Sequence, residues 1–160
     1  MTSIARIVRK IFIVGGWAPL LVFGIHGILS RVFHAYDAFP PSDIPMHFLG
    51  GISMAFFISG CFQALPREMV RSSRVVVLEL ILVGSLTATA AMVWEFAEFA
   101  CDLAFGTNIQ RGLQNTMQDM ALGLAGALAV ITWRAWQLKA RAEELRAVAD
   151  EWIYGRAVVR

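Results

Sequence analysis

Charged residues are scarce in this chain. Asp, Glu, Lys and Arg make up 16% of its 160 residues, whereas hydrophobic residues make up 58%. Because soluble domains carry about 25% charged residues, this balance excludes an ordinary soluble domain and places the chain in a lipid bilayer. The net charge of +2 comes from scattered basic residues, without a long basic tract or a basic and aromatic pattern. We therefore expect no nucleic-acid partner.

Cysteine is equally scarce. Cys61 and Cys101 lie in apolar stretches without CxxC spacing, so we interpret both as small buried hydrophobic residues. They give no indication of the redox compartment.

Long apolar runs, in contrast, are plentiful. They cover about residues 11–32, 46–65, 75–103 and 116–136. A helix needs about 20 apolar residues to cross the hydrocarbon core, so each run can span a membrane. We predict an all-α integral membrane bundle of four transmembrane helices over residues 1–137, followed by a cytoplasmic amphipathic helix and tail over residues 138–160.

The amphipathic helix is predicted from a stripe of apolar residues after the fourth span. They recur at alternating steps of four and three: Leu138, Ala142, Leu145, Ala149 and Trp152. We interpret this segment as a helix lying on the inner membrane surface, with Trp133 and Trp136 as interfacial anchors. A self-pairing coiled coil is the alternative, although barely two heptads are present.

Basic residues are unevenly distributed among the connections. The N-terminus, the second connection and the C-terminal segment are rich in Lys and Arg, whereas the first and third connections carry only Arg31 and Arg111. Cytoplasmic segments are enriched in Lys and Arg. We therefore predict that both termini are cytoplasmic and that the second and fourth helices enter the membrane from outside.

Acidic residues occur within the predicted spans. Glu95, Glu98 and Asp102 are spaced i, i+3 and i+7, which places them on one face of the third helix. Small residues continue this face towards the inner end and allow close helix approach, so the face should point into the bundle. The other helices carry similar stripes: Asn115, Asp119 and Gly126 on the fourth, Asp43, His47 and Gly50 on the second, and His26, Ser30 and His34 on the first. We expect all four stripes to converge near the outer end.

Several of these residues have simpler explanations. Asp43 could N-cap the second helix, and Asp119 completes a capping pattern that starts at Thr116. His26 could be a hydrogen-bonded core histidine, and Asp102 could be solvated at the membrane interface. These explanations stay open beside a functional role.

Glu95 and Glu98 fit none of these explanations. They lie near the C-terminal end of their helix, where the macrodipole disfavours negative charge. An unpaired acid at the centre of a membrane helix costs roughly 2.5–3.5 kcal/mol. Protons, a bound cation or Arg111 from the third connection could offset this cost.

His47 makes a bound cation as reasonable as protons, and both are better supplied than a pair with Arg111. It lies near the positive end of a helix dipole, which favours a neutral imidazole, and a neutral imidazole is a metal ligand. One His with two or three carboxylates suits a divalent metal such as Zn, Mn or Fe. The predicted ligands are His47, Glu95, Glu98 and Asp119, with Asp43, His26 and Asp102 as secondary candidates.

The order of these motifs along the chain resembles a known family. The motifs are Asp43-x3-His47-Phe48-x-Gly50-Gly51, Trp94-Glu95-x2-Glu98 and Asn115-Thr116-x2-Asp119-x3-Gly123-x2-Gly126. They resemble small bacterial inner-membrane proteins of the YjdF-like type and are more distantly similar to VanZ-like proteins. The resemblance implies a bacterial inner-membrane location, a helical fold and the position of the site, but no reaction. Asn115 stands where the family typically has Asp, which removes one anionic ligand.

Two functions are compatible with these features, and whether the protein is an enzyme stays open. In the first, the site binds a divalent metal and acts on or senses an envelope or lipid-linked ligand. In the second, the protein is a non-catalytic scaffold or interaction module whose buried acids form a hydrogen-bond network. A proton or ion path ranks last, because the inner halves of the stripes look apolar. The expected partners are membrane lipids and either a second copy or another membrane protein.

Overall fold

The computed structural model describes residues 3–64 and 73–155, and this part of the chain is helical with short connections and no strand. Its helices are α1 (Ser3–Ile11), α2 (Trp17–Arg31), α3 (Ala35–Ala38), α4 (Asp43–Gln63), α5 (Ser73–Phe105) and α6 (Leu113–Gly155). Four stretches are long and apolar enough to cross a membrane: Ile4–Arg31, Pro40–Gln63, Val75–Phe105 and Leu113–Glu144. The predicted all-α bundle of four transmembrane helices is confirmed.

The first span is interrupted near its start. Phe12–Gly16 forms a π-helical turn between α1 and α2, in which Gly15 has a φ of 115°. A residue with a Cβ adopts that conformation only with strain. Close to this turn, Gly60 of α4 lies directly against the carbonyl group of Val14. The first span therefore packs on α4 at this point.

Consecutive spans run in opposite directions. Glu95 of α5 lies near His47 and Asp119, which are close to the beginnings of α4 and α6. Glu79, near the beginning of α5, instead pairs with Arg134 further along α6. We call the end of the bundle at which α4 and α6 begin the upper end, and the opposite end the lower end.

Three small residues bring α4, α5 and α6 together in the upper half of the bundle. A Cβ atom added to Gly51 of α4 would overlap the backbone of Gly123 on α6, and one added to Gly126 would overlap the backbone of α4. On α5, the Cβ atom of Ala91 lies 3.2 Å from the Cβ position of Gly123. Small residues thus allow the helix backbones to approach closely. We call Gly51, Ala91 and Gly123 the small-residue crossing.

Below the crossing, the centre of the bundle is mainly apolar, and the buried hydroxyls of Ser53 and Thr87 bond to carbonyls of their own helices. The buried cluster consists of Ala55 from α4, Val83 from α5, and Ala127 and Val130 from α6. This apolar layer separates the upper half of the bundle from its lower end.

Both capping interpretations are wrong. α6 begins at Leu113, so Thr116 and Asp119 lie inside the helix. The N-cap position of α4 is occupied by Ser42 without a side-chain capping bond, and Asp43 instead lies against His47. Neither acid is explained by capping.

The C-terminal amphipathic segment is part of the last helix. Residues 138–155 are helical, as predicted, but they continue α6 without forming a separate element. Trp133 and Trp136 are exposed on this helix, as befits anchors at a membrane interface. Residues 156–160 and the basic residues Arg67 and Arg71 of the second connection lie outside the described residues.

The two cysteines differ from expectation. Both are free thiols; Cys61 is exposed on the bundle surface and Cys101 is half-buried. The interpretation of Cys61 as a buried residue is therefore wrong.

Candidate functional site

The polar side chains of the site lie one helical turn above the small-residue crossing. Residues four apart share a helix face, and the residues one turn above Gly51, Gly123 and Ala91 are His47, Asp119 and Glu95. Because the backbones meet at the crossing, these three side chains are brought together at the next turn. The packing of three helices on small residues thus creates the site.

His47 is at the centre of this group. Its Nε2 atom lies 3.2 Å from Asp43 Oδ1 and 3.7 Å from Asp119 Oδ2. Its Nδ1 atom lies 3.9 Å from Glu95 Oε1. The two aspartates therefore face one ring nitrogen of His47, and the glutamate faces the other. We call Asp43, His47, Glu95 and Asp119 the His47 cluster.

Two acids of this cluster are buried and incompletely hydrogen-bonded. Glu95 is 3% exposed and Asp119 is 2% exposed. Asn115 Nδ2 donates a hydrogen bond to Asp119 Oδ2 at 2.7 Å, but Asp119 Oδ1 and Glu95 Oε1 have no hydrogen-bond partner among the described residues. The cluster thus presents free acceptor oxygens in the interior of the bundle.

Arg111 does not cover the cluster. Its Nη2 atom donates a hydrogen bond to the backbone carbonyl of Tyr36 at 2.7 Å and lies 3.4 Å from Asp37 Oδ1. Arg111 therefore joins the third connection to the first, and among the described residues it forms no ion pair with the buried acids, which was one of the three alternatives for offsetting their cost. In the described part of the chain, no Lys or Arg forms an ion pair with an acid of the His47 cluster.

Glu98 and Asp102 have other partners. Trp94 Nε1 donates a hydrogen bond to Glu98 Oε1 at 2.7 Å. The Asp102 carboxylate accepts three bonds from the connection that follows: from the Thr107 hydroxyl at 2.6 Å, and from the backbone N–H groups of Ile109 and Gln110 at 2.8 and 2.9 Å. Glu95, Glu98 and Asp102 share a face of α5 but contact three different groups: His47, Trp94 and the third connection.

His26 binds the first connection. Its Nδ1 atom lies 2.9 Å from the Tyr36 hydroxyl, and its ring packs edge-on against Trp94. Burial, reinforced by the negative charges of Asp43 and Glu98, raises the pKa of Tyr36 to about 12, so the phenol stays protonated at neutral pH. The structure therefore places His26 in an aromatic contact beside the His47 cluster.

The comparison with known families identifies the chain's relatives. Residues 10–140 match the family described as predicted membrane protein (DUF2238). The chain belongs to this DUF2238 family. The match covers most of the four spans, so this DUF2238 member is a membrane protein over the region that contains the site. No curated protein and no solved structure matches it.

Two openings of this DUF2238 member adjoin the His47 cluster. One is a cavity of about 320 Å³ that His47 and Asp119 line together with mainly apolar side chains. The other is a wider opening of about 660 Å³, lined by polar residues of the first and third connections. His26, Phe23 and Trp94 line both. The cluster is therefore accessible from more than one direction.

A second buried polar group lies at the lower end and is absent from the sequence predictions. Glu79 is 1% exposed, and its Oε1 atom accepts bonds from Arg134 Nε and from the Ser59 hydroxyl, both at 3.1 Å. Gln63 Nε2 donates to the same serine hydroxyl at 3.2 Å. The lower halves of α5 and α6 thus contain a buried acid and its basic partner, whereas the sequence predicts stripes that are apolar away from the His47 cluster. The sequence contained a signal for this pair: Glu79 is an isolated acid in an apolar run, and Arg134 lies at a similar depth on another predicted span.

Proposed function

We propose that this DUF2238 member is a bacterial inner-membrane protein that binds a divalent cation at Asp43, His47 and Asp119 and uses it to act on or sense an envelope or lipid-linked ligand. One observation carries the proposal. A ligand atom from each of these three residues lies within 4.8 Å of the other two. The narrower YjdF-like resemblance agrees with this location, since it rests on the same residues.

The distances suit a metal ion. Bonds of about 2.0–2.2 Å to nitrogen and oxygen at tetrahedral angles separate two ligands of the same ion by about 3.3–3.6 Å. The separation of His47 Nε2 from Asp43 Oδ1 is 3.2 Å, and that from Asp119 Oδ2 is 3.7 Å. The ligand atoms of the two aspartates lie within 4.8 Å of each other, so these side chains must move closer together to share one ion. Imidazole and carboxylate ligands are compatible with Zn, Mn or Fe.

Glu95 has a supporting role in this proposal. A histidine that binds a metal through one ring nitrogen usually donates the other N–H to a carboxylate or carbonyl, which fixes the ring orientation. Glu95 Oε1 faces Nδ1 of His47 at 3.9 Å, opposite the nitrogen that faces the aspartates. We therefore assign Glu95 to orienting His47, whereas Glu98, bound to Trp94, lies outside the ligand set.

The charges favour a cation as well. Asp43 and Asp119 supply two negative charges when ionised, which one divalent cation balances, and neutral imidazole adds none. Uncompensated acids in a membrane are costly. The cluster's lack of a Lys or Arg ion pair within the described residues leaves this balance to His47, to protons or to a bound cation.

Elemental analysis of the protein purified in detergent and then dialysed against Zn²⁺, Mn²⁺ or Fe²⁺ tests the proposal. We expect about one equivalent of metal in the wild type, and a loss of it in His47→Gln and Asp119→Asn. The matched controls are His34→Gln and Asp37→Asn, which change exposed residues of the first connection and should leave the metal content unchanged. Substoichiometric metal in the wild type under all three conditions rules the proposal out.

The proposed orientation has its own test. If both termini are cytoplasmic, the upper end with the His47 cluster faces outward, towards the envelope. Reporter fusions to the second connection and to the C-terminus should then be active only with cytoplasmic reporters. An extracytoplasmic signal from either fusion contradicts this orientation.

A structural role is the second candidate, and one observation favours it. His47 lies within 4.0 Å of three acids, so a protonated imidazole could itself offset part of their charge. The cluster would then hold α4, α5 and α6 together as a network. In that case the wild type binds no metal, and His47→Gln lowers the melting temperature in metal-free buffer more than His34→Gln does.

A further inference from the structure

The cavity of about 320 Å³ lies within the membrane-spanning part of the bundle. Leu20 and Phe23 of α2, Met54 of α4 and Ala91 of α5 are among the residues that line it. His47 and Asp119 line its upper end. The cavity therefore combines apolar walls with one polar end, and its volume falls in the range of small-molecule sites, about 300–1,000 Å³.

We propose that this cavity binds one hydrocarbon chain of a membrane lipid, with the polar end of the same lipid at His47 and Asp119. The assignment of the polar end rests on the proposed function, since the cation would bind the lipid head there. The binding of the chain rests on the cavity alone. The inference thus names the ligand class of the site as a bilayer lipid taken up sideways from the membrane.

The surroundings of the cavity favour a lipid over a water-soluble ligand. Leu20 and Phe23 on its α2 wall are 66% and 59% exposed, and both lie within a span, where the surrounding medium is hydrocarbon. α2 packs chiefly on α4 and meets α5 where Phe23 and His26 contact Trp94, so we place the entry between α2 and α5 below this contact. A chain from the bilayer can enter at this point without crossing water.

The polar and apolar residues of the cavity follow the same order across the membrane as the head and tail of a lipid. Met54 follows His47 by seven residues, which corresponds to about 10 Å along α4. Its position is about 16 Å from the start of α4, close to the middle of a hydrocarbon core of about 30 Å. A lipid of the upper leaflet has its head at the membrane surface and its tail at the midplane, which is the order of polar and apolar residues here.

The polar end has an acceptor available for the lipid head or its cation. Asp119 lines the cavity and is 2% exposed, and its Oδ1 atom has no hydrogen-bond partner among the described residues. Above it, Phe23, His26 and Trp94 also line the wider upper opening. A head group larger than the cavity can therefore extend past these rings towards the membrane surface.

Photocrosslinking in lipid bilayers tests the inference. The protein is reconstituted in phosphatidylcholine that contains a phosphatidylcholine with a diazirine midway along one acyl chain, and labelled residues are mapped by mass spectrometry. We expect label at Met54, inside the cavity, as well as at the lipid-facing Leu128, which is 61% exposed. Label at Leu128 without label at Met54 in the wild type overturns the proposal.

A pair of glycine variants provides the matched control. A Cβ atom on Gly50 or on Gly24 meets open space, but only Gly50 lines the cavity. Gly50→Leu should fill the cavity and abolish labelling at Met54, whereas Gly24→Leu should keep it. Equal labelling of Met54 in both variants overturns the proposal, and the wild-type map stays decisive should Gly50→Leu fail to fold.

Repeating the labelling with a chelator separates this inference from the proposed function. We expect Met54 to be labelled with and without metal, because the apolar walls alone bind the chain. Labelling in a protein that binds no metal supports the chain site and rejects the cation. Stoichiometric metal in a protein whose Met54 stays unlabelled supports the cation and rejects the chain site.

Discussion

Gly51 on α4 meets the backbone of Gly123 on α6 directly. One turn above this contact, His47 Nε2 lies 3.7 Å from Asp119 Oδ2. Both helices run in the same direction, so the two polar side chains are separated by the spacing that the glycines set. The geometry of the site therefore depends on residues that carry no functional group.

Gly51→Ala should consequently impair both stability and the site. Its added methyl group would overlap the Gly123 carbonyl oxygen, and overpacking of this kind costs about 1–3 kcal/mol. We expect a lower melting temperature in detergent and weaker metal binding. Gly50→Ala is the matched control, because its methyl group meets open space. Equal melting temperatures for the two variants contradict the close contact.

Sequence patterns predicted the spans and the faces of the helices well. A stripe of small residues below polar ones indicates a helix contact with polar groups beside it, and this is how His47, Glu95 and Asp119 come together. The i, i+4 spacing of Asp43 and His47 also predicts the contact that the structure shows, although the position of Asp43 before the second span is equally compatible with capping.

The sequence did not predict which partner each acid has. Glu98 and Asp102 share a face with Glu95, yet Glu98 binds Trp94 and Asp102 binds the third connection. Such partners depend on where the chain turns after a helix, which helix periodicity does not contain. Glu79 shows the same limitation, because its partner Arg134 is 55 residues away.

Removal of one partner from the Glu79–Arg134 pair should strongly destabilise the bundle. Glu79 is 1% exposed and bonded to Arg134 at 3.1 Å, and breaking a buried ion pair typically costs about 3–5 kcal/mol. We expect Glu79→Gln to lower the unfolding free energy by about 3–5 kcal/mol. The double variant Glu79→Gln with Arg134→Gln should recover part of this loss, because no unpaired charge is left. Denaturation in mixed micelles measures both.

The exposed pair of Lys139 and Glu143 provides the comparison. Its atoms are 3.9 Å apart on the surface of α6, and surface pairs contribute roughly 0–1 kcal/mol. Glu143→Gln should therefore leave the unfolding free energy nearly unchanged. If Glu143→Gln lowered the unfolding free energy as much as Glu79→Gln, burial would not explain the effect of the Glu79 substitution.

Asp102→Asn should loosen the third connection without changing the metal content. The Asp102 carboxylate accepts two backbone N–H bonds and one hydroxyl bond, and the side-chain amide of asparagine, with a single acceptor oxygen, cannot keep all three. We expect faster amide exchange at Ile109 and Gln110, measured by hydrogen–deuterium exchange. Loss of metal from this variant would place Asp102 among the ligands.

Alkaline pH should weaken the contact of Tyr36 with His26. The pKa of Tyr36 is raised by burial from its usual value near 10 to about 12, so the folded protein holds the phenolic proton more tightly than the unfolded chain. This contribution to stability is complete below pH 10 and is lost as the pH rises towards 12.

Tyrosinate absorbance measures this titration directly. The chain has two tyrosines, and Tyr36→Phe leaves Tyr154 as the reference. The difference between wild type and variant should titrate with a midpoint near pH 12. A midpoint near pH 10 would show that the phenol is not buried against His26.

Glu95→Gln should weaken metal binding without abolishing it, whereas Asp119→Asn should abolish it. Glu95 faces Nδ1 of His47, and the loss of a partner that orients a metal-binding histidine typically lowers metal affinity by about 10–100-fold. Glutamine keeps the shape and one acceptor oxygen, so we expect the lower end of that range in a metal titration. Glu98→Gln is the matched control, since Glu98 accepts a hydrogen bond from Trp94. The metal affinity of this variant should equal that of the wild type. A complete loss of metal in both glutamate variants would instead make these residues ligands, as the spacing on α5 alone suggests.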